Sequence, residues 1–372
     1  MDIGIPSEVK DHEDRVAATP EGVRELVAAG HHVRVQAGAG AGSAIADDDF
    51  VRSGAEVVSD ADALFAASEL IVKVKEPQAP EYGRFRTGQV LFTFLHLAAD
   101  KALTRALMDA GVRAIAYETV ETHAGRLPLL APMSEIAGRM TPQVGATLLE
   151  RPHGGRGVLL AGASGVAPAR VVVLGAGIAG SNAAQIAAGM EAEVTIVDRD
   201  VERLREVDRI SHGRIQTVMS SALAVEQLVL DADVVIGAVL IPGAKAPRLV
   251  TSEHVRQMRA GAVLVDISID QGGCFETSRM TTHSDPTYVV DGVVHYCVGN
   301  MPGAVPRTST YALTNVTLPY VASIASKGLE GALRDDPEFA RGVNVWDGHV
   351  TNAGVAEAHG LDLTAFEDAV RG

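Results

Sequence analysis

The feature that most constrains this chain is the run Val171-Val172-Val173-Leu174-Gly175-Ala176-Gly177-Ile178-Ala179-Gly180. An uninterrupted apolar run with no polar alternation suits a parallel strand buried on both faces. G-x-G-x-x-G follows it directly, and a helix opens at Ser181. In that pattern Gly175 permits a tight turn, Gly177 lets a pyrophosphate approach the main chain, and Gly180 lets helix and strand pack closely. The helix start offers free N–H groups and the positive end of its dipole to phosphate. A second strand, 193–198, ends in Asp198 at about 20 residues beyond the glycines. A carboxylate there accepts from the ribose hydroxyls of a dinucleotide and repels a 2′-phosphate, which predicts NAD over NADP. Arg199, next door, weakens that discrimination.

Two series of strands alternate with helical patterns, which implies parallel sheets with helices on their faces. The first series has strands expected at 2–5, 32–37, 70–75, 90–95 and 114–118. Thr19 and Pro20 start one helix as N-cap and first helical residue, and another helix spans 100–110. The second series has strands expected at 170–174, 193–198, 214–218, 232–239, 262–268 and 287–290. A long helix over 132–149 connects the two. The pattern turns helical again over 310–326, with a last helix from Leu363, and this tail is expected to return to the first domain. The expected organisation is therefore 1–128 and 307–372 as one discontinuous α/β domain, with 129–306 as a dinucleotide-binding Rossmann domain. Both are read as doubly wound. A second glycine cluster, Gly38-Ala39-Gly40-Ala41-Gly42-Ser43, lacks the final glycine and a following apolar helix. It is read as a close-packed loop against the other domain.

A length of 372 residues suits two cores rather than one. The formal charge of −15, with acids and bases interspersed, argues against nucleic acid as a partner. The stretch 171–190 approaches membrane-spanning length, but its glycines, Ser181, Asn182 and Gln185 suit a strand–turn–helix better, so no membrane association is expected. The opening residues lack the basic-then-apolar pattern of a secretory signal. Cys274 and Cys297 could pair, yet two cysteines make no framework, and a reduced, cytoplasmic setting is expected.

Ligands of open α/β sheets bind outside the carboxyl ends of the strands. Polar residues there form a short set: Arg15 in the loop after the first strand, Lys75, His96 and Asp270. Three come from the first domain and Asp270 from the nucleotide domain, so an interdomain cleft is expected. Oxidising an α-amino acid needs a cation for its carboxylate, a proton acceptor, and a hydride acceptor at the α-carbon. Arg15 offers a bidentate fork and Lys75 a second cation. His96 suits proton transfer near neutral pH. Asp270 could orient water and ammonia or take a proton itself. Each also has a plainer reading, as a solvated cation or a strand-end cap.

Several stretches carry a closer likeness: Ile5-Pro6-Ser7-Glu8-Val9-Lys10, Glu13-Asp14-Arg15-Val16-Ala17, Lys73-Val74-Lys75-Glu76-Pro77 and Phe94-Leu95-His96-Leu97-Ala98. Pro132 to Gly138, Asp266 to Gly273 and Asn300 to Thr310 continue it. In order and across essentially the whole chain, these resemble the bacterial L-alanine dehydrogenases of the alanine dehydrogenase/pyridine nucleotide transhydrogenase family. The resemblance implies reversible NAD-dependent conversion of L-alanine to pyruvate and ammonia by a homohexamer. It assigns substrate binding to Arg15 and Lys75 and acid–base roles to His96 and Asp270. Cofactor contacts would fall at Ser134, Ile178, Asp198, Arg203, Ser220, Val239, Leu240 and Arg279. Two further stretches join them, Ile267-Ser268-Ile269-Asp270 and Val298-Gly299-Asn300-Met301. Some members carry a divalent-metal site with an acid at the position of Glu118 and a later histidine; Lys327 stands at the latter position here, so no metal site is expected. The alternative is the soluble NAD(H)-binding component of a proton-translocating transhydrogenase. His96, Asp270 and the lack of a membrane segment argue against it.

Overall fold

Short β-branched runs separated by glycine or capped helices build two α/β units in the computed structural model, which describes residues 1–239 and 246–370. The first strands are β1 (Asp2–Ile5), β2 (His32–Gln36), β3 (Glu56–Val58), β4 (Leu70–Val72), β5 (Val90–Thr93) and β6 (Arg113–Ala116). Next come β7 (Arg170–Leu174), β8 (Glu193–Asp198), β9 (Ile215–Met219), β10 (Val234–Gly237), β11 (Val263–Asp266), β12 (Thr287–Val290) and β13 (Val293–Tyr296). The chain's last strands are β14 (Val343–Trp346) and β15 (His349–Val350). One compact unit holds Met1–Met133 and Val305–Gly372, and the other holds Ser134–Ala304. The first break falls inside the helix Ala131–Leu148, later than residue 128, and the second falls at 304 rather than 306.

In the first unit the order β3-β2-β1-β4-β5-β6 is parallel throughout. Antiparallel β14 and β15 extend it beyond β6. The second unit repeats the order as β9-β8-β7-β10-β11-β13, with antiparallel β12 at the edge. Each is a doubly wound sheet whose strand order reverses beside its first strand, which opens a crevice there.

The apolar run of β7 shows why alternation is missing. Val171 and Val173 pack with Ala183, Ala184 and Ala187 of the helix Ile178–Gly189 on one face. Val172 and Leu174 pack with Val225, Val229 and Val255 on the other. Burying each such side chain contributes roughly 1.5–3 kcal/mol. In the first unit Thr19 caps the helix Pro20–Ala28 by accepting from Gly22 N at 3.3 Å, with Pro20 at its first position.

The structure departs from the sequence reading in several further places, and the helix after the glycine motif begins at Ile178 rather than Ser181. The three-residue β3 and the helix Ala61–Ala67 are absent from that reading. So are β13, β14 and β15, although Asp291-Gly292 and Asp347-Gly348 join hairpins with positive φ at both residues, a signal the sequence carries openly. The last helix is Phe366–Ala369; Leu363 instead bridges Val350. The Gly38–Ser43 loop is close-packed, as expected: Ser43 Oγ donates to Asp14 O at 2.9 Å and meets Thr310 Oγ1 at 2.8 Å.

Candidate functional site

In the second unit the glycine motif is a cradle that a Cβ would fill. Gly175 has φ +105°, and a Cβ there would lie 2.6 Å from Ala238 O. A Cβ at Gly180 would lie 1.8 Å from Gly175 O, so helix and strand pack this closely only without side chains. At Gly177 the nearest neighbour is Arg203 Nη1 at 3.9 Å, so space lies open above the main chain. Gly177 is also the N-cap of the helix Ile178–Gly189 and has no side-chain cap, which leaves the first amides of the helix for a ligand. Gly138 locks the long helix onto this turn: its Cβ would meet Ala179 O at 2.1 Å. Ser134 is half-buried on that helix.

The remaining candidates of this unit lie at or just beyond the carboxyl ends of its strands. Asp198 ends β8 and is almost fully buried; Oδ2 accepts from Ala176 N at 2.6 Å and Oδ1 from Asp200 N at 2.8 Å. The acid is therefore already tying the glycine turn to the next helix, and its remaining lone pairs are those a ribose could use. Arg203 Nη1 lies 4.0 Å from it. Ser220 N donates to Asp198 O at 2.9 Å. Val239 follows β10, and its carbonyl accepts from Ser268 Oγ at 2.7 Å. Ile267–Gln271 is a 3-10 turn after β11, held by buried Asp266, which accepts from Ser268 N and Cys274 N, each at 3.0 Å. The turn presents Asp270 to solvent, near Gly299, whose Cβ would stand 3.2 Å from Asp270 Oδ1. Val298 and Met301 are buried, and Asn300 takes a left-handed φ of 58°. The Arg279 guanidinium lies 3.9 Å over the Tyr288 ring. Leu240 lies outside the described residues. Cys274 and Cys297 are free, buried thiols.

In the first unit Arg15, Lys75 and His96 leave the carboxyl ends of β1, β4 and β5. Arg15 is 2% exposed, and Glu13 takes its side edge: Nε donates to Oε1 at 2.6 Å and Nη2 to Oε2 at 2.5 Å. Nη1 donates toward Met133 Sδ at 3.0 Å. Lys75 follows a buried charge cluster in which Lys73 Nζ meets Glu8 Oε2 at 3.1 Å and Glu81 Oε1 at 2.9 Å. Burial alone would pull the Lys73 ammonium down, but the two carboxylates outweigh it and hold it above its ordinary value. Burial pushes the Glu8 carboxyl up. Glu8 Oε1 also accepts from Val74 N at 2.6 Å, which fixes the main chain leading into Lys75. Glu76 pairs with Lys10, and its Oε2 is buried with no hydrogen-bond partner among the described residues. Burial raises the Glu76 carboxyl, but Lys75 and then Lys10 prevail and hold it below the ordinary range.

His96 takes a left-handed backbone, φ 49° and ψ 35°, and its ring lies parallel to that of Phe94 with centroids 5.8 Å apart. Glu118 Oε1 accepts from His96 N at 2.6 Å. Sequence reasoning did not assign the supporting acids Glu8, Glu13, Glu76 and Glu81. Each stands one to seven residues from a candidate cation, but buried partners of that kind carry no periodic signal. No group of three or more metal-ligating side chains occurs among the described residues, and no helix among them is long and apolar enough to cross a membrane.

Comparison with known proteins extends the picture. The alanine dehydrogenase/PNT N-terminal domain matches residues 4–137, and the alanine dehydrogenase/PNT C-terminal domain matches residues 141–353. The alanine dehydrogenase of Mycolicibacterium smegmatis is 58% identical over 371 residues, 100% of this chain and 99% of that protein. That of Halomonas elongata is 57% identical over 362 residues, covering 97% and 98%. A solved L-alanine dehydrogenase superposes with a TM-score of 0.93 at 50% identity, over 96% of this chain and 99% of its own. A transhydrogenase from Sinorhizobium meliloti is a more distant relation, with TM-score 0.80 and 25% identity over 95% and 99%.

Proposed function

The chain belongs to the alanine dehydrogenase/PNT family, and from that membership we propose that it catalyses the reversible NAD-dependent oxidative deamination of L-alanine to pyruvate and ammonia. The observation that carries this reading is identity of 57–58% to curated alanine dehydrogenases over nearly the whole of both chains. The glycine cradle fits a dinucleotide, because its one open position, Gly177, lies at an uncapped helix start. Gly175, Gly177, Ile178 and Gly180 would hold the pyrophosphate, Asp198 and Arg203 the ribose, and Ser134, Ser220, Val239, Leu240 and Arg279 further parts of the cofactor. The stretches 267–270 and 298–301 complete the set. NAD bound there supplies the hydride acceptor for the alanine α-carbon.

Arg15 and Lys75 hold the substrate carboxylate. Glu13 holds the side edge of the Arg15 guanidinium through Nε and Nη2, which fixes the orientation in which it would meet the carboxylate. Alanine reacts as the neutral amine, and His96 takes the proton that the amine loses as the C=N bond forms. His96 returns that proton to the imine nitrogen, and water then adds to the iminium carbon as its own proton passes to the neutral His96 or to Asp270. The carbinolamine collapses to pyruvate as a proton moves to nitrogen and ammonia leaves. Assembly as a homohexamer and a cytoplasmic setting belong to the same proposal; the family resemblance supports the first, and two free thiols fit the second.

The test is alanine-dependent NADH formation by the purified protein, with its mass in solution measured by light scattering. His96→Ala and Asp270→Asn are expected to lower turnover by about 100-fold or more, the scale of lost acid–base help. NADH binding should survive His96→Ala. No NADH formed from alanine would overturn the reading, and near-normal turnover in either variant would remove that residue from the mechanism.

A further inference from the structure

We infer that Glu118 is a positioning residue for His96, acting through the main chain; the inference rests on the assignment of His96 to proton transfer. Register places the two together. Thr93 pairs with Ala116 at the ends of parallel β5 and β6, so Phe94-Leu95-His96 and Tyr117-Glu118 leave neighbouring strands side by side. Tyr117 anchors its side of the pair. It is buried, its hydroxyl donates to Lys73 O at 3.0 Å, and its ring meets that of Phe94 edge-on at 5.0 Å. Glu118 is thus carried on a fixed turn, with its side chain 16% exposed.

Both carboxylate oxygens of Glu118 turn to the loop that carries the histidine. Oε1 accepts from His96 N at 2.6 Å and from Leu95 N at 3.2 Å, and Oε2 accepts from Leu95 N at 3.2 Å. Two consecutive amides converging on one anion form a concave nest. His96 needs that support, because a left-handed backbone is unfavourable for a residue with a Cβ. Without an acceptor, the two amides lose a charge-assisted partner and the loop can relax toward an extended conformation, which swings the imidazole away. Glu118 Oε1 also lies 3.8 Å from Nδ1, beyond a normal hydrogen bond, so the amide contacts are the stronger hold on His96. What matters in this arrangement is the reach and acceptor geometry of the side chain, more than its charge. Glutamine can keep Oε1 on both amides. Aspartate, one methylene shorter, keeps the charge but cannot reach them from the same backbone.

The experiment compares Glu118→Gln, Glu118→Asp and Glu118→Ala with the full-length wild type. Turnover is measured per NADH-binding site, together with hydrogen exchange at the Leu95 and His96 amides. Glu118→Gln should keep turnover within about 5-fold of wild type, while Glu118→Asp and Glu118→Ala lose at least ~10-fold, part of the ~100-fold expected from general acid–base help. In a His96→Ala background, Glu118→Ala should cause no further loss, because a residue that acts only through His96 has nothing left to position. Exchange at the two amides should quicken in Glu118→Ala and Glu118→Asp and stay slow in Glu118→Gln. Losses that multiply in the double variant, or a turnover order with aspartate above glutamine, would overturn the inference. The exchange readout needs no activity. A wild type inactive on alanine would refute the functional reading, whereas unchanged exchange in Glu118→Ala would refute the clamp itself. If Glu118→Ala fails to fold, the order of glutamine and aspartate still decides.

Discussion

Two glycines of one motif should fail in different ways when each is replaced by alanine. A Cβ at position 180 would lie 1.8 Å from Gly175 O and 3.3 Å from Ala238 Cβ. Restoring a carbon–oxygen contact near 3.3 Å requires helix and strand to part by roughly 1.5 Å. The nearest obstacle is the Gly175 main chain, which cannot swing aside as a side chain would, so the cost lies at or above the upper end of the ~1–3 kcal/mol typical of overpacking. At about 2–4 °C per kcal/mol for a domain of this size, Gly180→Ala should melt roughly 5–10 °C lower. Position 177 differs: its φ of −72° suits any residue, and a Cβ meets nothing nearer than Arg203 Nη1 at 3.9 Å. Gly177→Ala should therefore stay within about 1 kcal/mol of wild type in stability, a small N-cap effect. Its methyl group nevertheless occupies the space through which a phosphate reaches the helix amides. Losing one charge-assisted hydrogen bond, worth about 1.5–3 kcal/mol, weakens NADH binding by roughly 10–100-fold. Thermal melting beside NADH fluorescence titration separates the two effects. Wild-type NADH affinity in Gly177→Ala would refute the phosphate assignment, and a wild-type melting temperature in Gly180→Ala would refute the packing argument.

The other predictions concern groups already engaged inside the protein. Asp198→Ala should relax discrimination against NADP and also cost roughly 1–3 kcal/mol, because the Ala176 and Asp200 amides lose their acceptors; equal use of NADP by wild type in the kinetic assay would refute the ribose role. Arg15→Ala should raise KM for alanine and destabilise the fold by about 3–5 kcal/mol, because it removes one partner of a buried ion pair; denaturant titration beside kinetics tests both, and an unchanged KM would remove Arg15 from substrate binding. Burial holds His295 below its ordinary value of 6.5, with Nδ1 donating to Val293 O at 3.0 Å and Nε2 accepting from Thr277 Oγ1 at 2.7 Å. The unfolded chain then takes up a proton near pH 6.5 that the folded one refuses, so the stability His295 contributes is complete above pH 6.5 and is lost as pH falls toward its lower folded value. Melting between pH 7 and pH 5 should fall more steeply in wild type than in His295→Gln, and equal slopes would contradict this.

What the sequence disclosed follows from the range of the interactions involved. β1, β7, β8 and β12 have the expected bounds, since each is a β-branched run ended by proline, glycine, an acid or a turn. β4 and β5 stop at Val72 and Thr93, short of the expected Lys75 and Leu95, because regular pairing gives way where the chain turns toward the site. Lys73 N still donates to Phe92 O at 3.1 Å and Phe94 N to Val74 O at 3.3 Å, so the segment stays extended beyond the ladder. The glycine cradle was legible because its chemistry is local to one turn. The buried acids were not, since Glu8 meets Lys73 and Glu118 meets His96 only through the order of the strands.

That order also explains how two sheets of the same topology come to hold different chemistry. β7 runs straight into Gly175, and the helix begins at Ile178 with its amides uncapped, so the main chain itself can meet a phosphate. β1 runs into Pro6, and the next regular helix begins only at Pro20, whose nitrogen has no hydrogen and whose N-cap Thr19 already serves Gly22 N. The intervening loop turns inward instead. It buries Glu8 against Lys73 and Val74 N, and Glu13 against Arg15, so the protein's own carboxylates fill the switch point. A dinucleotide needs close approach to the main chain, and the open Gly177 at an uncapped helix start fits that need. In the first sheet the same position is taken by buried ion pairs, Glu13 with Arg15 and Glu8 with Lys73, so the proposed division of labour would give a small charged substrate to side chains there and the dinucleotide to the main chain of the second sheet.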